Sequence, residues 1–216
     1  MLKDSIQGSI YARNKRIILC FVLLLCTFNC IKFAQAKHLL VFGDSLSAAY
    51  GMELHQGWVQ LMENELGEDY SVSNASISGE TTVGGLARLP ETLNELQPDI
   101  VLLELGANDG LRGYPVGRIK ANLSSMIQLI QDSGAIAILA GISVPPSYGP
   151  RYVEQFQSIF RQLAEEHRIP FIDFYDQRLV STPGFIQEDG LHPSLAGQPI
   201  IRDLVLEFFE SRALLE

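Results

Sequence analysis

The stretch that decides the fold spans residues 38–47 and reads His-Leu-Leu-Val-Phe-Gly-Asp-Ser-Leu-Ser. Its apolar first half, His38–Phe42, is typical of a buried strand. The turn Gly43-Asp44-Ser45 follows at the carboxyl end of this strand, and open α/β sheets bind their ligands at that edge. We therefore expect the Ser45 hydroxyl to stand at the edge of a sheet, where it can act as a nucleophile.

A second motif lies near the other end of the chain, at Asp189-Gly190-Leu191-His192-Pro193. A carboxylate three residues before an imidazole can fold back and hold that ring in one tautomer. Serine, histidine and an orienting carboxylate are the parts of a nucleophilic hydrolase. Ser45 is not in the G-x-S-x-G turn of common lipases, because Ser47 stands in the place of the second glycine. The plainer interpretation is a serine that caps a helix and an exposed loop acid.

Between these motifs, short apolar runs alternate with helical patterns, which predicts a parallel sheet with right-handed crossovers. The predicted strands are His38–Phe42, Tyr70–Asn74, Ile100–Glu104, Ala135–Ala140 and Pro170–Phe174. The predicted helices are Trp58–Leu66, Val83–Gln97, Val116–Ser133, Arg151–His167 and Ala196–Arg212. The predicted fold is a three-layer α/β/α sandwich with a five-stranded parallel sheet, of the flavodoxin-like kind.

The polar residues of interest follow successive predicted strands. Ser45 follows the first strand, Gly79 the second and Asn108 the third, while His192 lies past the fifth. The carboxyl ends of parallel strands meet at one edge of the sheet. We therefore expect residues from four distant parts of the chain to converge on one site.

Four segments together resemble the conserved blocks of the SGNH (GDSL) hydrolase family. Residues 74–82 and 104–110 supply the two middle blocks between Ser45 and His192, and residues 84–90, 108–113 and 145–152 are also similar. The amino-acid sequences of these segments are similar to those of the family branch that contains secreted thioesterases, lysophospholipases and arylesterases.

The resemblance implies an oxyanion hole formed by the backbone N–H groups of Ser45 and Gly79 and the side-chain amide of Asn108. It also implies that Pro146 and Tyr148 help to shape the substrate pocket; the alternative for these two is a rigid surface turn. We expect no cofactor and no metal, because the sequence has neither a G-x-G-x-x-G loop nor metal-ligand spacing.

Three further histidines compete with His192 for the role of the base. His38 begins the first strand, at the opposite edge of the sheet. His55 has no carboxylate in a fixed turn beside it, and His167 ends a charged helix. We expect all three to be structural or solvated.

Residues 1–36 have the pattern of a secretory signal peptide. Basic residues precede the apolar run Ile17–Phe28, and Ala34-Gln35-Ala36 is a cleavage site of the small-x-small kind. We expect cleavage after Ala36, a single domain at 37–216 and a periplasmic or secreted protein that does not stay inserted in the membrane; an uncleaved anchor is the alternative.

All three cysteines lie in this leader, at Cys20, Cys26 and Cys30, so we expect no disulfide.

The negative net charge of the protein limits the kinds of molecule that it is expected to bind. The sequence has 16 Lys and Arg residues against 25 Asp and Glu residues, a formal net charge of −9. Such a surface disfavours nucleic acid. We expect a monomeric serine esterase acting on small fatty-acyl, aryl, thio- or lysophospholipid esters. The alternatives are a carbohydrate O-deacetylase of the same fold and a non-catalytic periplasmic binding protein.

Overall fold

The computed structural model describes residues 36–174 and 181–215. In these ranges the chain forms one sheet of five parallel strands, in the order β2-β1-β3-β4-β5. The strands are β1 Lys37–Gly43, β2 Tyr70–Asn74, β3 Ile100–Glu104, β4 Ile136–Gly141 and β5 Phe171–Asp173. All five predicted strands are present, and each boundary lies within one residue of the predicted one.

Six α-helices accompany the strands in the described ranges. They are α1 Trp58–Leu66, α2 Thr82–Leu96, α3 Ala107–Leu111, α4 Val116–Asp132, α5 Pro150–His167 and α6 Gly197–Ser211. The chain moves in one direction from β1 to β2 and in the other from β2 through β5. Right-handed crossovers therefore place α1 on one face of the sheet and α2, α4 and α5 on the other. The contacts between helices agree, because α1 packs on α6 and α4 packs on both α2 and α5.

The sheet is covered on both faces, which explains why its central strands β1 and β3 are mostly apolar. All five residues of β3 are buried, including Glu104, and β1 is buried from Leu39 to Gly43. The connection that follows β1 runs toward one edge of the sheet, and the connection that follows β3 runs toward the other edge. Doubly wound sheets open a crevice between two such neighbouring strands. Gly43 at the end of β1 is paired with Glu104 at the end of β3.

The structure differs from the sequence-based prediction mainly at α3. The segment Ala107–Leu111 contains Asn, Asp and Gly, which favour turns over helices, yet it forms one short helix after Gly106.

Residues 175–180 and nearly all of the predicted leader lie outside the described residues, so cleavage after Ala36 and the single domain stay predictions. Within residues 36–174 and 181–215, no helix combines the length and the apolar character needed to cross a bilayer.

Candidate active site

The Ser45 turn is fixed by the buried side chain of Asp44. One carboxylate oxygen of Asp44 accepts the backbone N–H of Leu46 at 3.1 Å, and its backbone carbonyl accepts the N–H of Ala48 at 3.0 Å. Asp44 itself is fully buried, whereas Ser45 is half-buried. The turn therefore holds the backbone firmly beneath a serine whose side chain faces a cleft.

The loop that carries His192 brings this ring to Ser45. His192 Nε2 lies 2.9 Å from Ser45 Oγ, and His192 Nδ1 lies 2.7 Å from Asp189 Oδ2. The other oxygen, Asp189 Oδ1, accepts the backbone N–H groups of Leu191 at 2.9 Å and His192 at 3.0 Å. The carboxylate thus orients both the imidazole and the turn that carries it.

The same contacts change the pKa of the Asp189 carboxyl group. Its slight burial raises the pKa, but the hydrogen bonds from the His192 side chain and from the two backbone N–H groups lower it, and the net shift of the Asp189 pKa is downward. Asp189 therefore stays ionised at neutral pH, as a group that stabilises an imidazolium must.

The other three histidines lie away from this cleft. His38 contacts the Leu96 carbonyl at 2.9 Å and Ser73 Oγ at 2.8 Å, at the amino end of β1. His167 Nε2 lies 2.7 Å from the Ser124 hydroxyl, and His55 is exposed in the short turn Leu54–Gln56. Within the described residues, His192 is the only histidine whose ring contacts both a serine hydroxyl and a carboxylate; the His38 ring contacts Ser73, and the Asp99 carboxylate accepts the backbone N–H of His38.

The three groups expected to form an oxyanion hole also meet at this cleft. Gly79 has φ +81°, a conformation that glycine adopts without strain, and the backbone N–H of Ile77 donates to the Gly43 carbonyl at 3.0 Å, which fixes this loop to the end of β1. Asn108 Nδ2 donates to Asp44 Oδ2 at 3.0 Å, which identifies the side that carries the NH₂ group. Within the described residues, the N–H groups of Ser45 and Gly79 donate no hydrogen bond, so they are available to a ligand.

A cleft of about 200 Å³ contains these groups. Its walls include Ser45, Gly79, Asn108 and His192, together with apolar side chains from Leu46, Tyr50, Ala107, Leu111 and Leu191. Tyr148 and Pro146, which the family resemblance placed at the substrate, are exposed and stand outside this lining. Tyr148 reaches the site indirectly, because its hydroxyl donates to the Leu111 carbonyl at 2.6 Å.

A pair of buried carboxyl groups lies beneath the nucleophile turn. Glu104 Oε2 accepts the Ser47 hydroxyl at 2.9 Å and the Asp44 backbone N–H at 3.2 Å. A Cβ atom at Gly43 would lie only 2.5 Å from Glu104 Oε2 and 3.0 Å from the Glu104 carbonyl oxygen, so any larger residue there would displace Glu104. Burial, aided by the charges of Asp109 and Glu80, raises the pKa of Asp44 to about 7, although the hydrogen bonds from the Leu46 N–H and the Asn108 amide lower it. Burial beside Asp44 raises the pKa of Glu104 well above its ordinary value.

These raised pKa values make the stability of the protein depend on pH. The folded state holds protons on Asp44 and Glu104 that the unfolded state releases, so their contribution is full below the ordinary carboxyl pKa and is lost as pH rises. For Asp44 this loss spans the range from 3.8 to about 7. We expect Glu104→Gln to reduce the fall in the free energy of unfolding between about pH 5 and about pH 8.

Urea unfolding at a series of pH values measures this fall. Glu91→Gln, which removes an exposed carboxyl from α2, is the matched control and should keep the wild-type dependence. A Glu104→Gln curve parallel to that of the wild type would contradict the buried, protonated state of Glu104.

Two residues of this site were missed by the sequence reasoning. The Tyr50 ring stacks on the His192 ring, with centroids 4.1 Å apart and planes 26° from parallel. The Gln187 side chain donates to the Tyr50 carbonyl at 3.0 Å. Neither residue belongs to a recognisable catalytic motif, although both lie within five residues of one.

A model of the GDSL-like lipase/acylhydrolase family matches residues 41–200. The chain belongs to this family. The region that matches the GDSL-like family begins within β1 and ends within α6, so it includes Ser45, Gly79, Asn108, Asp189 and His192.

Named relatives give the same assignment. An arylesterase of Vibrio mimicus is 46% identical over 191 residues, covering 86% of this chain and 96% of the relative. The thioesterase 1/protease 1/lysophospholipase L1 of Escherichia coli (strain K12) is 41% identical over 181 residues, covering 84% of this chain and 86% of the relative. Among solved structures, the psychrotrophic esterase EstA from Pseudoalteromonas sp., inhibited by monoethylphosphonate, matches with a TM-score of 0.78 at 39% identity, covering 82% of this chain and 98% of that one.

These comparisons confirm three predictions: the GDSL (SGNH) family, the α/β fold with its five-stranded parallel sheet, and the class of enzyme, a hydrolase of ester bonds. They do not test the roles of individual residues. Within the described parts of the chain, no group of three or more His, Cys, Asp and Glu side chains is placed to hold a metal ion.

Proposed function

We propose that this protein is an exported serine esterase that cleaves carboxylic esters through an acyl intermediate on Ser45. The observation that carries the proposal is the hydrogen-bonded chain from Ser45 Oγ to His192 Nε2, at 2.9 Å, and from His192 Nδ1 to Asp189 Oδ2, at 2.7 Å. This arrangement activates a hydroxyl that is a weak nucleophile by itself.

In the first half of the reaction, Ser45 Oγ attacks the acyl carbon of the ester. His192 Nε2 takes the hydroxyl proton as the new C–O bond forms, and Asp189 stabilises the imidazolium through Nδ1. The tetrahedral intermediate then expels the alcohol, which receives the proton from His192 Nε2. The products of this half are a free alcohol and an acyl-Ser45 ester.

In the second half, water replaces the alcohol. His192 Nε2 takes a proton from the water while the water oxygen attacks the acyl carbon, and it returns that proton to Ser45 Oγ as the acyl bond breaks. The carboxylic acid leaves, and the free hydroxyl of Ser45 is restored. The same three residues therefore serve both halves of the cycle.

The negative charge on the intermediate requires donors that are already in place. Ser45 and Gly79 line the cleft, and their backbone N–H groups have no internal partner in the described chain. Asn108, which also lines the cleft, has a second N–H besides the one bonded to Asp44. Because Asp44 fixes the Asn108 amide, this donor has little freedom to lose when the charge develops.

We expect Asn108→Ala to lower kcat by about 100- to 1,000-fold with little change in KM, since one oxyanion donor contributes mainly in the transition state. Steady-state kinetics with an activated aryl ester measure both constants. The control is Asn94→Ala on the exposed face of α2. A rise in KM at constant kcat would assign Asn108 to ground-state binding and contradict this role.

The proposed substrates are neutral or zwitterionic acyl esters: fatty-acyl and aryl esters, lysophospholipids and acyl thioesters. Five apolar side chains line the cleft, and the chain carries a net charge of −9, which disfavours polyanionic substrates. The names of the relatives, an arylesterase and a thioesterase/lysophospholipase, also support this range. Outside the cytoplasm acyl-CoA is absent, so oxygen esters and lysophospholipids are the natural candidates.

A series of p-nitrophenyl esters of increasing acyl length tests this proposal. Turnover that is maintained or rises from acetyl to longer chains supports an esterase of the proposed type. Turnover restricted to the acetyl ester would instead favour a carbohydrate O-deacetylase, and no turnover of any ester would favour a non-catalytic binding protein.

A further inference from the structure

The nucleophile and the base are carried by loops from opposite ends of the chain, and within the triad only the hydrogen bond between Ser45 Oγ and His192 Nε2 joins these two loops. Ser45 follows β1, whereas His192 lies in the segment between β5 and α6. Catalysis needs the distance between Ser45 Oγ and His192 Nε2 to be held closely, because misplacement of about 1 Å can lower a rate about 100-fold.

The side chain of Gln187 connects these two loops. Its Nε2 donates to the carbonyl of Tyr50, in the loop that follows Ser45, at 3.0 Å. The same nitrogen donates to the carbonyl of Pro193, next to His192, also at 3.0 Å. One primary amide thus uses both of its hydrogens, one on each loop.

The backbone of Gln187 strengthens the connection on the side of the base. Its N–H donates to the His192 carbonyl at 2.8 Å, and its carbonyl accepts the N–H of Gly190 at 3.0 Å. A bridge between Ile186 and Pro193 extends this pairing. The backbone of Gln187 therefore belongs to the His192 loop, and its side chain reaches across to the Ser45 loop.

The carbonyl that Gln187 holds belongs to the residue that stacks on the base. The Tyr50 ring covers one face of the His192 ring at a centroid distance of 4.1 Å. Gly51, next to Tyr50, has φ +77°, and a side chain there would contact the Gln187 amide at 3.1 Å. The backbone thus bends beside Tyr50 in a way that leaves room for Gln187.

We propose that Gln187 is a positioning residue that holds the His192 loop against the Ser45 loop, and with it the Tyr50 ring against the imidazole. This inference rests on the proposed function, because its effect on catalysis acts through His192. Gln187 lies outside the lining of the cleft, so it is not expected to contact substrate.

The test is Gln187→Glu, which keeps the size of the side chain but replaces the donor by an oxygen facing two carbonyl oxygens. We expect kcat for an aryl ester to fall about 10- to 100-fold while KM stays near its wild-type value. Gln187→Met, which has the length but no donor, should lower kcat in the same direction. Gln155→Glu, an equal change of charge on the exposed face of α5, should match the wild type.

A second comparison separates positioning from a general loss of structure. In a His192→Ala background, Gln187→Glu should lower the residual rate no further, because a residue that acts through His192 has nothing left to position. An additional fall in that background, or a Gln187→Glu enzyme with wild-type kcat, would overturn the inference and leave the proposed function standing. If the wild type itself hydrolyses no ester, the proposed function fails, and the inference fails with it.

Discussion

Ser45→Ala is expected to abolish ester hydrolysis and to leave the fold intact. Without the hydroxyl no acyl intermediate forms, and kcat should fall by about 10⁴- to 10⁶-fold, to the rate that the oxyanion donors and binding alone support. Among the described residues the hydroxyl forms a hydrogen bond with His192 only, so its removal should leave the thermal midpoint close to that of the wild type. Steady-state kinetics on highly purified protein, with circular dichroism as a check of folding, measure both quantities.

Ser125→Ala is the matched control for this prediction. It removes a hydroxyl from the exposed face of α4, where Ser125 Oγ donates to the carbonyl of Ala121, and it should keep wild-type activity. A Ser45→Ala enzyme with substantial turnover would show that another group is the nucleophile.

His192→Ala is expected to be about as damaging as Ser45→Ala, whereas Asp189→Ala should be less so. His192 moves the proton in every step, so its loss should lower kcat by about 10⁴- to 10⁶-fold; Asp189 orients and stabilises the ring, and its loss should cost about 10³- to 10⁴-fold. The double variant of Ser45 and His192 should be no worse than either single variant, because the two act as a unit.

Single-turnover kinetics with an activated aryl ester measure these effects on the chemical step. His55→Ala and His167→Ala are the controls, since one ring is exposed and the other contacts Ser124. If either control were as damaging as His192→Ala, the base would be misassigned, and the pair Asp189–His192 would be a structural turn.

The sequence predicts the residues whose signal is local. Ser45 follows an apolar strand directly, and the spacing of Asp189 and His192 matches one turn, so simple rules on strand ends and side-chain reach locate them. Gly79 and Asn108 have weaker signals, because turn glycines and asparagines are common. The strand ends place both residues at the edge of the sheet, but their role as oxyanion donors became predictable only through the resemblance to a family.

The contacts between different loops could not be predicted from the sequence. Tyr50 and Gln187 meet across two segments whose relative position depends on the packing of the whole sheet, and no local pattern encodes such a contact. Glu104 gave a partial signal, as a charged residue at the end of an apolar strand, but its hydrogen bonds with Ser47 and the Asp44 backbone depend on the pairing of β3 with β1.

The buried pair of Asp44 and Glu104 supports the turn that carries the nucleophile. Asp44 supports both the Leu46 N–H and the Asn108 amide, and Glu104 in turn supports the Asp44 N–H. Two desolvated carboxyl groups lower the stability at high pH, a cost that functional sites often carry. Here that cost accompanies a nucleophile and an oxyanion donor that are fixed to the same support.

The most direct test of the central claim is to identify the residue that an activated aryl phosphonate modifies. We expect the intact mass to rise by one phosphonyl group per chain, with loss of activity in proportion, and peptide mapping to place that group on Ser45. The Ser45→Ala protein should remain unlabelled, and His192→Ala should be labelled far more slowly. A phosphonyl group on any other residue, or full activity in a chain labelled at Ser45, would contradict the account.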